Sequence, residues 1–382
     1  MTEPREGPLS GYRILEFADL RTALGCRQLA DLGAEVIRVE PPGGAPDRHL
    51  APFAGDEPGP DRSLVYLARN SGKRSIVLDL ESEADHGEVL QLVASADALV
   101  AGVTPGRMEE LGLGWSDLQS LNPVLIACFV SDYGLTGPRA AWKGDELTAF
   151  AMSGAMQVAG SAENPPCNAP GQMAYDSASI YAALAVVMAL FDRRRSGEGR
   201  FIDVAVQEGA VSALYPWSIP TYSYSGTIMG RGGAAFTLFP CADGRVRMML
   251  AGERQWDAMR EILGDPEDLA DAAYRERGFR AAHQDLVLEL VGRHTREWKA
   301  EEFAAAARKR GIAISVVRPP SAFASDPNVL ARGFFEPTEV DGIGQVPLPG
   351  SAIKLSTYPR RPGVPPPQLG ADTVDLMLEM QA

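Results

Sequence analysis

A succession of short apolar runs, each closed by a helix signal or a glycine- and proline-marked turn, constrains this chain more than any other feature. The runs are Tyr12–Phe17 (YRILEF), Ala34–Glu40 (AEVIRVE), Ser75–Leu80 (SIVLDL), Ala98–Ala101 and Leu125–Val130 (LIACFV). Such near-continuous hydrophobicity marks strands covered on both faces. Helical signals fall between them at Arg27–Leu32, ending at Gly33, and at Glu88–Ser95. Strand alternating with helix predicts a mainly parallel, doubly wound α/β sheet. Sheets of that kind bind ligands at the carboxyl ends of their strands. Here those ends lead into Thr104-Pro105-Gly106 and the loop from Tyr133 to Pro138.

A longer apolar helix is predicted over Ser177–Arg195, closed by Arg193–Arg195 and Ser196-Gly197. Its alanines at 178, 182, 183, 185 and 189 predict close packing deep in the core. Phe201–Val206 (FIDVAV) is the next strand, and Gly230–Gly233 (GRGG) marks a boundary. Asp243-Gly244, between Phe236–Cys241 and Val246–Leu250, is a hairpin signal. Helical segments run from Glu253 to Arg310, and Ala313–Val317 reads as a strand. The proline-rich tail Pro359–Pro367 is expected along the surface.

The 382 residues suffice for two or three domains and a core that needs no staples. A formal charge of −14 lacks the basic field that nucleic acids and anionic membranes require, so neither is an expected partner. With 45% hydrophobic and 23% charged residues, the composition is that of a folded globular chain. Cys26, Cys128, Cys167 and Cys241 stand apart without a CxxC pair. Neither a disulfide framework nor a metal site is expected, and a reducing, cytoplasmic setting fits. The N-terminal stretch lacks the apolar core of a secretory signal. The Ala178–Phe191 run, about 14 residues, is shorter than the roughly 18–20 that cross a bilayer.

Asp176, in Ala174-Tyr175-Asp176-Ser177, falls at the start of the apolar helix. As an N-cap it would accept an orphan backbone N–H. As a functional group it would be a nucleophile or base tuned by the helix terminus. The two roles are compatible, because a capping carboxylate keeps a second oxygen. Lys143-Gly144-Asp145-Glu146 is either a solvated charged loop or a phosphate-binding lysine beside carboxylates that orient a substrate. Gly230, Gly232 and Gly233 fit a lid loop or a linker equally well. His49, His86, His283 and His294 have no triad spacing.

An ordered set of segments runs through nearly the whole chain. It comprises PLSGYRILEF, RQLADLGAEVIRVEPPGG, NSGKRSIVLDLES, PGRMEELGLGWSDLQSLNPVLIACFVSDYGLTGP, AYDSASIYAALAVVMALFDRRRSGEGRFIDVAVQEGA, CADGRVRMML, DPNVLARGFFEPTEV, LPGSAIKLS and PPPQLGADTVDLML. The set resembles the class III CoA-transferases, the family of carnitine-CoA and bile-acid CoA-transferases. That resemblance implies a Rossmann-like large domain built from residues 1–224 and a returning segment, 321–382. A smaller α+β domain would be inserted at 225–320, and two ring-like chains would interlock as a homodimer. It also implies that Asp176 attacks an acyl-CoA to give a mixed anhydride, which CoA converts to an aspartyl-CoA thioester before an acceptor carboxylate completes the exchange. The substrates would be an acyl-CoA and a carboxylic acid, with no cofactor beyond CoA itself. Gly232 and Gly233 match a lid loop. Lys143 and Glu146 match positions that contact CoA and the acid. Leu20, Arg21, Arg38, Lys73, Arg74 and Arg107 belong to segments that border the CoA site.

Departures from the family pattern sharpen these expectations. Gly102-Val103-Thr104-Pro105-Gly106 stands where the family reads Asn-Phe-Arg-Pro-Gly, and Ala23-Leu24-Gly25 stands for Ala-Gly-Pro. Glu110 occupies the position of a CoA-contacting arginine, which predicts weakened CoA binding. The same fold hosts α-methylacyl-CoA racemases, whose histidine base falls at Asp145. An aspartate, with an ordinary pKa of about 3.9, is a poorer base there. Racemase is the second reading; a non-catalytic subunit of a hetero-oligomer is the third.

Overall fold

The computed structural model describes residues 7–160, 164–214, 218–227, 238–358 and 363–381. Its elements begin β1 (Arg13–Phe17), α1 (Leu20–Asp31), β2 (Glu35–Glu40), α2 (Leu64–Asn70), β3 (Arg74–Val77), α3 (Glu83–Ser95) and β4 (Ala98–Gly102). They continue α4 (Arg107–Glu110), α5 (Trp115–Leu121), β5 (Ile126–Ser131), α6 (Glu146–Met152), α7 (Ala155–Val158), α8 (Met173–Ser196), β6 (Arg200–Ala205) and α9 (Val206–Leu214). α1 starts well before the expected Arg27 because Asp19 caps it, its carboxylate accepting the Arg21 N–H at 2.8 Å.

The strands form one sheet in the order β3-β2-β1-β4-β5-β6, with every pair parallel. The order reverses between β1 and β4, the crevice where doubly wound folds bind ligands. Alternate strand residues enter different cores. Ile14, Val36, Val100 and Cys128 join α1, α8 and α9 on one face, while Leu15, Ile37, Leu99 and Phe129 join α3 and α5 on the other. Leu376, on the C-terminal helix Thr373–Gln381, completes that second core.

α8 is held very close to its neighbours. A Cβ on Gly25 would stand 2.0 Å from the Ser179 carbonyl oxygen, and the Gly25 N–H donates to Ser179 Oγ at 2.7 Å. Gly209 of α9 approaches the Ala178 backbone in the same way. By length and composition α8 could cross a membrane. Its buried Ala174, Ala178, Ala182 and Val186 instead build the core of this sheet.

The chain divides into two compact units. One takes Met1–Ala159, Pro166–Thr227 and Arg332–Ala382; the other takes Gly160–Pro165 and Ile228–Ala331. The second unit has an antiparallel sheet of Leu238–Cys241, Gly244–Met249 and Ala313–Val316 around Trp256 and Phe303. Its hairpin loop is Ala242-Asp243, and Gly244 already belongs to the strand. The short helices Pro320–Ala324 and Pro327–Ala331 fall with this unit rather than with the returning segment. Of the tail, Pro367 is tied inward, its carbonyl accepting the buried Tyr66 hydroxyl at 2.7 Å.

Candidate active site

α8 begins without a cap from its own side chains. Gln172 holds the N-cap position, and Asp176 lies inside the first turn with its N–H bonded to the Gln172 carbonyl at 2.8 Å. The expected N-cap role of Asp176 is thus corrected: its carboxylate is free of capping. The orphan N–H groups of Ala174 and Tyr175 go to Glu146, whose two oxygens accept them at 2.9 and 2.8 Å. Glu146 therefore spends an oxygen on each of two backbone donors and fixes the turn that carries Asp176. α6 delivers it through a capping box, in which Asp145 accepts the Thr148 N–H and its own N–H returns to Thr148 Oγ1, each at 2.8 Å. The preceding Gly144 lies against the end of β5, where a Cβ would meet Asp132 Cβ at 2.7 Å.

Arg69, from the last turn of α2, was not among the residues the sequence singled out. Its Nη2 donates to both oxygens of Asp176, at 2.9 and 2.8 Å. The two side chains are 14% and 27% exposed, so the pair is largely dry yet reachable. Burial pushes the Asp176 carboxyl above the usual aspartate range, against the pull of Arg69. Glu146 is also raised by burial, its two backbone donors opposing this and the neighbouring Asp176 adding to it. Asp145 is held low by its bonds to Thr148.

A second cluster forms at the carboxyl ends of β1, β4 and β5. Leu20 and Arg21 open α1, and Arg21 bonds to Asp19 at 2.8 Å and to the Val103 carbonyl at 3.0 Å. Asp132, just beyond β5, stands 3.7 Å from the same guanidinium. Burial lifts the Asp132 carboxyl, with Arg21 opposing. Beside this cluster, Val103–Gly106, Met108, Glu109, Phe129 and Leu135 line a cavity of about 80 Å³. Arg107 is half-buried and pairs with Glu81 and, at 3.2 Å, with Glu110. Lys143 is exposed and forms no ion pair with a described residue.

Three expected ligand contacts are corrected. Arg38 is fully buried and pairs with Glu16 at 2.8 Å and Asp47 at 2.6 Å. Lys73 is equally enclosed, its Nζ donating to Glu16, Asn70 and the Ala23 carbonyl. Desolvation makes such cations tolerable only with these partners, which leaves both inside the fold. Arg74 opens β3, at the amino-terminal edge of the sheet, and pairs with Glu35, Asp372 and Glu379. Gly232 and Gly233 lie outside the described residues. Among the described residues no three His, Cys, Asp or Glu side chains are grouped to hold a metal.

A reachable carboxylate in the first turn of a core helix is placed to act as a nucleophile or base on a bound substrate. The family model for CoA-transferase family III matches residues 9–373. The chain belongs to that family and is an enzyme of its class. It is 31% identical to the succinate–glutarate CoA-transferase of Agrobacterium fabrum over 99% of this chain and 96% of that one. It is 30% identical to the succinyl-CoA:(R)-benzylsuccinate CoA-transferase subunit BbsE of Thauera aromatica, covering 97% and 93%. A probable CoA-transferase of Mycobacterium tuberculosis is 34% identical over 84% of this chain, which spans 41% of that longer relative. A crystal structure of a CAIB/BAIF family protein from Brucella suis superposes with a TM-score of 0.88 at 27% identity, covering 98% of this chain and all of that one.

Proposed function

We propose that this enzyme moves CoA from an acyl-CoA thioester to a carboxylic acid, with Asp176 as the nucleophile. The observation that carries this is the Asp176 carboxylate itself, left uncapped and 27% exposed while Glu146 does the capping. An Asp176 oxygen attacks the thioester carbonyl, the C–S bond breaks, and CoA leaves as thiolate with the electron pair. The thiolate attacks the Asp176 side of the anhydride and expels the donor acid, leaving an aspartyl-CoA thioester. The acceptor carboxylate reverses these steps and restores Asp176. Covalent capture splits one hard transfer into easier steps and needs no metal or redox group. The relatives' names, which give succinyl-CoA with (R)-benzylsuccinate and succinate with glutarate, support dicarboxylic acids as substrates.

The nucleotide end of CoA is assigned to the β4–α4 loop, with the exposed Lys143, which forms no ion pair with a described residue, as a candidate phosphate contact; Gly232 and Gly233 lie outside the described residues. A cytoplasmic location suits the free cysteines Cys26, Cys128 and Cys241, all buried. Incubation with a competent acyl-CoA is expected to give a hydroxylamine-sensitive adduct on Asp176, absent in Asp176→Ala. Full turnover by a folded Asp176→Ala variant would end the covalent reading. Racemase chemistry is disfavoured because Asp145 caps α6 and its pKa is lowered. A 2-methylacyl-CoA in deuterated water should accordingly gain little α-deuterium; rapid exchange without an acceptor acid would restore the racemase reading.

A further inference from the structure

We infer that Arg69 is the carboxylate-binding residue of the reaction, handing its charge between Asp176 and the free acid. The inference rests on Asp176 being the nucleophile. Among the described residues, Arg69 bonds through Nη2, which faces both Asp176 oxygens. Nε and Nη1 bond to no described residue, yet neither is a buried atom left without a partner. Arg69 therefore presents unspent donors to the reachable side of the site. A guanidinium binds carboxylates through such a planar fork.

Charge conservation gives those donors a use. When Asp176 becomes an anhydride its negative charge passes to the CoA thiolate, and when that thiolate forms the aspartyl-CoA thioester the charge leaves with the released donor acid. Arg69 would then be a largely buried cation whose hydrogen-bonded partner has lost its charge, with only the more distant attraction of Glu146 left, a costly state. A free acid carboxylate on Nε and Nη1 relieves it and lies beside the Asp176 acyl carbon that the acceptor must attack. Glu146 cannot serve in its place. It is itself a carboxylate, it faces Asp176 from α6, and both its oxygens hold the first turn of α8. Arg69, from α2, is thus the cation that makes the pocket hospitable to a second anion.

The test separates the half-reactions. Wild-type enzyme with acyl-CoA alone should form the trappable Asp176–CoA thioester; no adduct would overturn the Asp176 reading, and this inference with it. Given the adduct, Arg69→Gln should raise the KM for the acceptor acid roughly 10- to 100-fold, the loss of a charge-assisted pair. The acid limb of the pH–rate profile should move to higher pH in Arg69→Gln, because Arg69 opposes the burial that raises Asp176. Arg69→Lys should keep that limb in place while raising the acid KM less. Added ethylguanidine should lower the acid KM of Arg69→Ala. An adduct-forming Arg69→Gln variant with an acid KM within twofold of wild type, and an unmoved pH limb, would overturn the inference. If Arg69→Gln does not fold, an unchanged acid KM in Arg69→Lys, together with no ethylguanidine response in a folded Arg69→Ala, overturns it instead.

Discussion

At the scale of single residues, charge alone did not distinguish ligand-facing cations from structural ones. Arg38, Lys73 and Arg21 all carry the same formal charge, but the first two are sealed with Glu16, Asp47 and Asn70 while Arg21 sits at the strand ends. Burial decides between the two roles, and burial comes from tertiary packing. Arg69 was illegible for the same reason, because its contact with Asp176 spans 107 positions of sequence. Asp176 was legible through its motif, although the capping that frees it comes from Glu146 on another helix. Glu110 provides a residue-scale prediction. Its 3.2 Å pair with Arg107 occupies the arginine that opens α4 as well as adding an anion. Glu110→Arg should remove that anion, release Arg107 and tighten CoA binding about tenfold at low salt, with less gain at physiological ionic strength. Lys143→Ala should weaken binding. Calorimetric titration of CoA reads both, and no change in either variant would remove the nucleotide from this loop.

At the scale of elements, the strands were read closely because buried parallel strands are written as short apolar runs; β1 and β2 fall inside them, and β4 and β5 run one residue past their ends. Helix starts were read late. α1 and α8 open on caps, Asp19 in one case and the remote Glu146 in the other, ahead of any apolar periodicity. The alanines of α8 did announce close packing, and Gly25 shows how close. Gly25→Ala would place a methyl carbon 2.0 Å from the Ser179 carbonyl oxygen, backbone against backbone, so no side chain can swing away. The two helices must part, and the cost should be about 3 kcal/mol or more, above the common overpacking range. Gly209→Ala, whose nearest contact is 3.1 Å, should cost less. Urea unfolding measures both. Because Ser179 is less than one turn beyond Asp176, Gly25→Ala should also lower the yield of the Asp176 adduct, even at temperatures where the variant remains folded.

At the scale of the whole molecule, α8 has a second face that the single chain leaves open. Ile180, Leu184, Met188 and Phe191 recur at helical spacing and are 45%, 52%, 63% and 76% exposed. A 24-residue helix is about 36 Å long, so this stripe runs along much of a small domain. Apolar side chains scattered singly on a surface need no explanation, but a continuous stripe of large ones marks an interface. The family resemblance implies a second copy of this chain as its cover, in an interlocked pair. A chain of 40.9 kDa should therefore sediment as a species of about 82 kDa. The double substitution Leu184→Glu, Met188→Glu puts two carboxylates into that interface, where desolvating even one unpaired charge is costly. It should leave the buried face of α8 intact and shift the protein toward the 40.9 kDa monomer at micromolar concentration, as read by analytical ultracentrifugation. Activity should fall with the dimer fraction if the partner completes the site. A wild type that sediments as a monomer, or a double variant that remains fully dimeric, would place the contact elsewhere and leave the stripe on α8 to a different partner.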